Sequence, residues 1–116
     1  MSTRVERFTR VVQEELSLLV DGLSDPRVAE ALFSITHVQV APDLGSARVY
    51  ITVTDGDEKQ VLKGLASAAT YLRRELGKAT QSKKVPELHF YIDEAKERGE
   101  RVERILRDLA EEKKSE

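Results

Sequence analysis

The segment Ser46 to Thr54, SARVYITVT, alternates cleanly between two chemistries. Ala47, Val49, Ile51 and Val53 fall on one face, and Arg48, Tyr50, Thr52 and Thr54 on the other. A strand of this kind belongs in a sheet that is covered on one face and wet on the other. Just upstream, Ile35 to Ala41 (ITHVQVA) reads as a second strand, with Val38 and Val40 sharing a face. Pro42-Asp43-Leu44-Gly45 between them reads as a turn, so the two strands should form an antiparallel hairpin. Leu88 to Ile92 (LHFYI) alternates again, with Leu88, Phe90 and Ile92 inward, and supplies a third strand.

The cover comes from helices. Val5, Phe8, Val12, Leu16, Leu19 and Leu23 recur at three- or four-residue steps, an apolar stripe on a helix from Thr3 to about Leu23. Asp21-Gly22 and Ser24-Asp25-Pro26 signal its end. A second helix is predicted from about Glu58 to Leu76, capped from the Thr54–Asp57 loop, with Val61, Leu62, Leu65, Ala68, Ala69, Leu72 and Leu76 on its apolar side. Gly77 is the expected stop or break. Ala95, Val102, Ile105, Leu106 and Leu109 mark a final helix, and Glu111–Glu116 a frayed charged tail. The order is helix, strand, strand, helix, strand, helix: a two-layer α+β domain with a three-stranded sheet and helices on one face. One domain over residues 1–110 and a tail over 111–116 is the predicted organisation; no repeat or linker interrupts it.

Composition narrows the chemistry. The chain has 116 residues, enough for one core without staples. It has no cysteine, which removes disulfides, thiol catalysis and thiolate metal sites, and fits a cytoplasmic setting. No apolar run is long enough to span a membrane, and the N-terminus lacks a signal-peptide core. His37 and His89 are isolated and make a weak metal pair. Asp55, Asp57 and Glu58 suit a helix cap better than calcium. The acids and bases between Glu94 and Arg104 read as a salt-bridged helix face. No nucleophile motif and no phosphate-cradling glycine loop is present. No catalytic residue, metal or cofactor is therefore assigned. No long exposed apolar stripe calls for an oligomer, so a monomer is expected.

Charge is more informative in its layout than in its total of −2. Between Tyr71 and Lys84, five cations (Arg73, Arg74, Lys78, Lys83, Lys84) face one acid, Glu75. Arg74 and Lys78 are four apart on the helix and share a face, with Arg73 beside them. Lys83 and Lys84 follow in the connection to the third strand. Such cations suit phosphates, arginine as a two-pronged donor and lysine as a mobile point charge. They also suit the negative end of a helix, a purely structural role. Arg4, Arg7 and Arg10 form a second, shorter stripe at the N-terminus, on a helix that runs into an acidic half. Aromatics are only 5% of the chain, and the sequence shows no stacking platform of the kind single-strand binders use.

Several stretches resemble the ribosome-binding factor A family. They are RVVQEEL in the first helix, DPR at Asp25–Arg27, APDLGSARVYITV across the hairpin, YLRRELGKA leading into VPELHFYID, and the Gly99-centred start of the last helix. The likeness runs in order over nearly the whole chain, and its most specific part pairs Leu76-Gly77-Lys78 with Val85-Pro86-Glu87-Leu88. It implies a KH-like domain of type II, helix-strand-strand-helix-kinked helix-strand. That agrees with the order read from periodicity. KH domains usually grip a nucleic-acid backbone with a GxxG loop; this chain has none between its helices. The family's kink at Ala-x-Gly falls on Ala68, Ala69 and Thr70, with Thr70 where glycine is usual. Threonine resists unusual backbone angles more than glycine does. The resemblance further implies a non-catalytic assembly factor for the small ribosomal subunit. Its expected partner is the 16S rRNA of the 30S particle, with other assembly factors or GTPases as further partners. The expected role is late maturation, notably in the cold. The rival reading is a protein–protein module in which the basic block is incidental; an enzyme is more remote.

Overall fold

The computed structural model describes residues 3–94. The final helix and the tail expected after Glu94 lie outside the described residues. Within them the order is α1 (Thr3–Asp21), α2 (Pro26–Ala29), β1 (Leu32–Val40), β2 (Ser46–Asp55), α3 (Glu58–Thr80) and β3 (Glu87–Ile92).

The sheet order is β1-β2-β3. β1 and β2 pair antiparallel through the short Pro42–Gly45 turn, as the hairpin reading expects, and β2 and β3 pair parallel. A parallel partner needs a long crossover, and α3 provides it. β1 begins at Leu32, three residues before the sequence reading placed it. The cause is a register shift between Ile35 and His37. Phe33 and Ile35 point inward before the shift, and Val38 and Val40 after it. A bulge of this kind changes the parity of the alternation, so the first half of the strand does not continue the pattern of the second.

The core sits between the sheet and the helices. Val12, Leu16 and Val20 of α1, Val61, Leu65, Leu72 and Leu76 of α3, and Val38, Val40, Ala47, Val49, Ile51 and Leu88 of the sheet form one buried cluster. Asp57 caps α3 by accepting hydrogen bonds from the backbone N–H groups of Lys59 (2.9 Å) and Gln60 (3.2 Å), satisfying donors that the first turn leaves orphaned. α3 then runs without interruption through Ala68, Ala69 and Thr70 and also through Gly77. The expectation that Gly77 ends the helix is incorrect; Gln81, with φ 54°, takes the left-handed position that closes it.

The one-turn helix α2 is absent from the sequence reading, which takes Ser24-Asp25-Pro26 only as a stop. Asp25 is its N-cap and Pro26 its first residue, the arrangement that starts a helix. Arg27 closes on Asp25 at 2.7 Å and also donates to Ser67 Oγ on α3 at 3.3 Å. α2 seats against α3 because Gly64 leaves room for it: a Cβ there would lie 2.5 Å from Val28 Cγ2 and 3.3 Å from Arg27 Cβ.

That seat can be tested at both of its sides. Gly64→Ala should lower stability by up to about 2 kcal/mol in denaturant titrations, because overpacking (~1–3 kcal/mol) opposes a gain in helix propensity of ~1 kcal/mol. Combined with Val28→Ala, it should cost less than the two single changes added together. A second prediction concerns Asp25. Its carboxyl is held below the usual range by the hydrogen bond from the Arg27 side chain, and next by that from the Arg27 backbone N–H. A lowered folded-state pKa stabilises above the ordinary carboxylate range and is lost as pH falls through the folded value. Asp25→Asn should therefore flatten the acid side of the stability–pH curve; a curve identical to the wild type would remove the pair from the account.

Candidate nucleic-acid interface

Gln81 turns the chain back, and residues 82–86 run alongside the last turns of α3. Four features hold them there. Val85 Cγ2 lies 3.0 Å from where a Cβ on Gly77 would be, so the absence of a side chain at Gly77 makes the approach possible. Pro86 is fully buried. Arg73 Nε donates to the Val85 carbonyl at 3.0 Å, and Ser82 Oγ donates to the Lys84 carbonyl at 2.9 Å. The paired stretches Leu76–Lys78 and Val85–Leu88 thus meet physically, glycine against valine.

Between the helix and the returning segment lies an open groove of roughly 370 Å³, lined by Thr70, Arg73, Arg74, Gly77, Lys83 and Val85. Three of the five cations of the basic block line it. Arg73 spends only Nε on the Val85 carbonyl, which leaves both Nη groups for a ligand. The Arg74 guanidinium sits 5.7 Å from the centre of the Tyr71 ring, within cation–π range, which steers the side chain without neutralising it. Lys78 pairs with Glu75 at 3.4 Å and Lys84 is exposed; neither lines the groove. Thr70, noted in the sequence for a kink, also lines the groove. Arg4, Arg7 and Arg10 are exposed on α1, away from the groove lining.

The opposite face of the sheet carries something the sequence reading missed. The rings of His37, Tyr50 and Tyr91 stand in a row across β1, β2 and β3, with centroids 5.8 and 5.7 Å apart. The expectation that the chain has no aromatic platform rests on their scarcity. The few rings are far apart in sequence, and only strand register aligns them. His37 packs on Tyr50, and His89 lies 3.8 Å from Glu87. Among the described residues no group of three or more metal-ligating side chains is placed to hold an ion, and no helix is long and apolar enough to cross a membrane.

Known proteins share both the sequence and this architecture. The family model described as ribosome-binding factor A matches residues 4–106. The chain is a member of the ribosome-binding factor A family. It is 41% identical to the ribosome-binding factor A of Geobacter sulfurreducens over 118 aligned residues, covering 99% of this chain and 98% of that one. The fold matches the crystal structure of ribosome-binding factor A from Thermus thermophilus, with a TM-score of 0.70 and 22% identity over 76% of this chain and 93% of that one. It also matches a homology model of the Thermus thermophilus protein fitted into a cryo-electron-microscopy map of its complex with the 30S subunit, with a TM-score of 0.60 and 23% identity over 82% of this chain and 97% of that one. The domain is accordingly KH-like, with a continuous α3 over residues 58–80.

Arg73 and Arg74 should separate by role when each is changed to alanine. Arg73→Ala removes the hydrogen bond to Val85 and should cost about 0.5–1.5 kcal/mol in denaturant titrations. Arg74→Ala should stay within about 0.5 kcal/mol of wild type. Equal losses would show that Arg73 does not tether the returning segment.

Proposed function

We propose that the chain binds the small ribosomal subunit by placing the groove between α3 and residues 82–86 on rRNA phosphates. The observation that carries this reading is the convergence of Arg73, Arg74 and Lys83 on one groove in a chain of net charge −2. Family membership supports it, as does the fitting of a relative of the same fold into a 30S complex. The mechanism is occupancy without bond chemistry. Folded rRNA is read mostly through shape and phosphates, and a groove of two guanidiniums and one ammonium supplies phosphate donors without base readout. The rigid sheet-and-helix body then holds neighbouring RNA in one arrangement. In this role the chain acts in the cytoplasm as a non-catalytic factor in late 16S rRNA maturation, with a demand that grows in the cold. Lys78 and Lys84 flank the groove as peripheral charges, and the Arg4–Arg7–Arg10 stripe serves as a second phosphate contact. A bend at Ala68–Thr70 would tune the groove's width, since Thr70 lines it.

Co-sedimentation with purified 30S subunits, 50S subunits and whole ribosomes over a salt series tests the reading. Wild type should pellet preferentially with 30S subunits and release as salt rises. Arg74→Glu with Lys83→Glu should abolish pelleting while leaving the circular-dichroism spectrum unchanged. Single Arg74→Ala should reduce the log–log salt slope by about 1. Pelleting that ignores both charge reversal and salt would reject the groove. It would move attention to a protein partner on the exposed Val11 and Leu18 of α1, which are 40% and 69% exposed.

A further inference from the structure

We propose that the open face of the sheet is a second RNA-binding surface, a platform on which unpaired bases stack. The described helices lie on the other side: every core residue of β2 (Ala47, Val49, Ile51) points to them. The face turned away carries two parallel rows set by strand register. One row is His37, Tyr50 and Tyr91; the next, two residues along each strand, is Gln39, Arg48 and His89. The first row is rings, tilted by only 31° and 33° to one another. The second is hydrogen-bond donors around a guanidinium. His37 and Tyr91 are exposed, and Tyr50 is half-buried between them.

The bulge in β1 makes the ring row. It moves His37 opposite Tyr50, and Thr36 at the bulge is held by donating to Asp93 Oδ2 at 2.5 Å, just beyond β3. Arg48, Tyr50 and Tyr91 also share a hollow of roughly 550 Å³ with Leu62, Phe90, Ile92 and Glu94. Carboxylates stand on both sides, Glu94 in that hollow and Glu87 at 3.8 Å from His89, so a strand lies with its bases on the rings and its backbone toward Arg48 and Gln39.

Rings beside donors match a nucleotide, which offers a flat base and an anionic backbone. The outward positions of β2 (Ser46, Arg48, Tyr50, Thr52, Thr54) offer a protein partner no aliphatic anchor. Cross-strand ring pairs also stabilise a sheet. A purely structural row, however, would be indifferent to RNA. The platform does not depend on the groove, so the protein would hold paired RNA by its phosphates at one surface and an unpaired segment at the other.

Tyrosine fluorescence reads the platform directly, because the chain has three tyrosines and no tryptophan. Tyr71, beside the groove, is removed as Tyr71→Phe, leaving Tyr50 and Tyr91 as the signal. A short oligoadenylate should quench that emission, and a fully paired RNA duplex should not. Tyr91→Leu, which keeps apolar bulk, should weaken oligoadenylate binding about fivefold or more, whereas Tyr91→Phe should keep it. Arg74→Glu with Lys83→Glu should lose 30S pelleting yet retain the quench, which separates the two surfaces. The proposal is overturned if oligoadenylate leaves the emission unchanged or if Leu and Phe at 91 bind alike. It is equally overturned if the groove variant abolishes the quench, or if Tyr91 crosslinks on the subunit to protein and never to RNA.

Discussion

Burial of one stripe of α3 organises this domain. Val61, Leu65, Leu72 and Leu76 are fully buried, and α1, α2 and β3 each pack on the helix that carries them. The stripe's spacing keeps these side chains on one side of the helix, which leaves the other sides for solvent and for ligands. Arg73, Arg74 and Lys78 occupy those sides near the C-terminal end. The basic character of the groove is therefore a consequence of which face the core claims. Any change that rotates α3 in its seat would move the cations with it.

Two glycines on α3 permit the close approaches on which that seat depends. Gly64 admits Val28 and with it the whole of α2; Gly77 admits Val85 and the segment that returns to β3. Neither has a positive φ. Their value lies in missing volume, because a Cβ at either position would meet a packed valine. At Gly77 the missing volume shapes the groove, since the segment held there brings Lys83 to the arginines and builds the far wall. Arg73 joins the two roles, tethering the Val85 carbonyl through Nε while its remaining donors face outward.

The sheet divides the molecule's work between its faces. Its inner side completes the core, so those positions are occupied by Val, Ile, Leu and Ala and answer to packing. Its outer side has no such duty, and there the rings of His37, Tyr50 and Tyr91 align. Among the described residues, the core thus leaves a cation-lined groove beside α3 and a ring-bearing face on the other side of the sheet.

What the sequence determined by itself was local. The alternation from Ser46 to Thr54, the stripe of α1 and the stripe from Val61 to Leu76 are periodicities that neighbouring residues impose on one another, and each became the expected element. The acid at Asp57 capped α3 because a cap needs only the next three residues. The basic block was visible as a run of charge. What tertiary structure alone decided was every relation between distant residues. It reassigned Gly77 from helix end to packing contact, because Val85 is invisible to a local reading of residue 77. It selected Arg73, Arg74 and Lys83 for the groove and left Lys78 with Glu75. It aligned three scattered rings through strand register and a bulge whose parity change had hidden the start of β1. Periodicity reports which face a residue occupies; only the folded chain reports what that face meets.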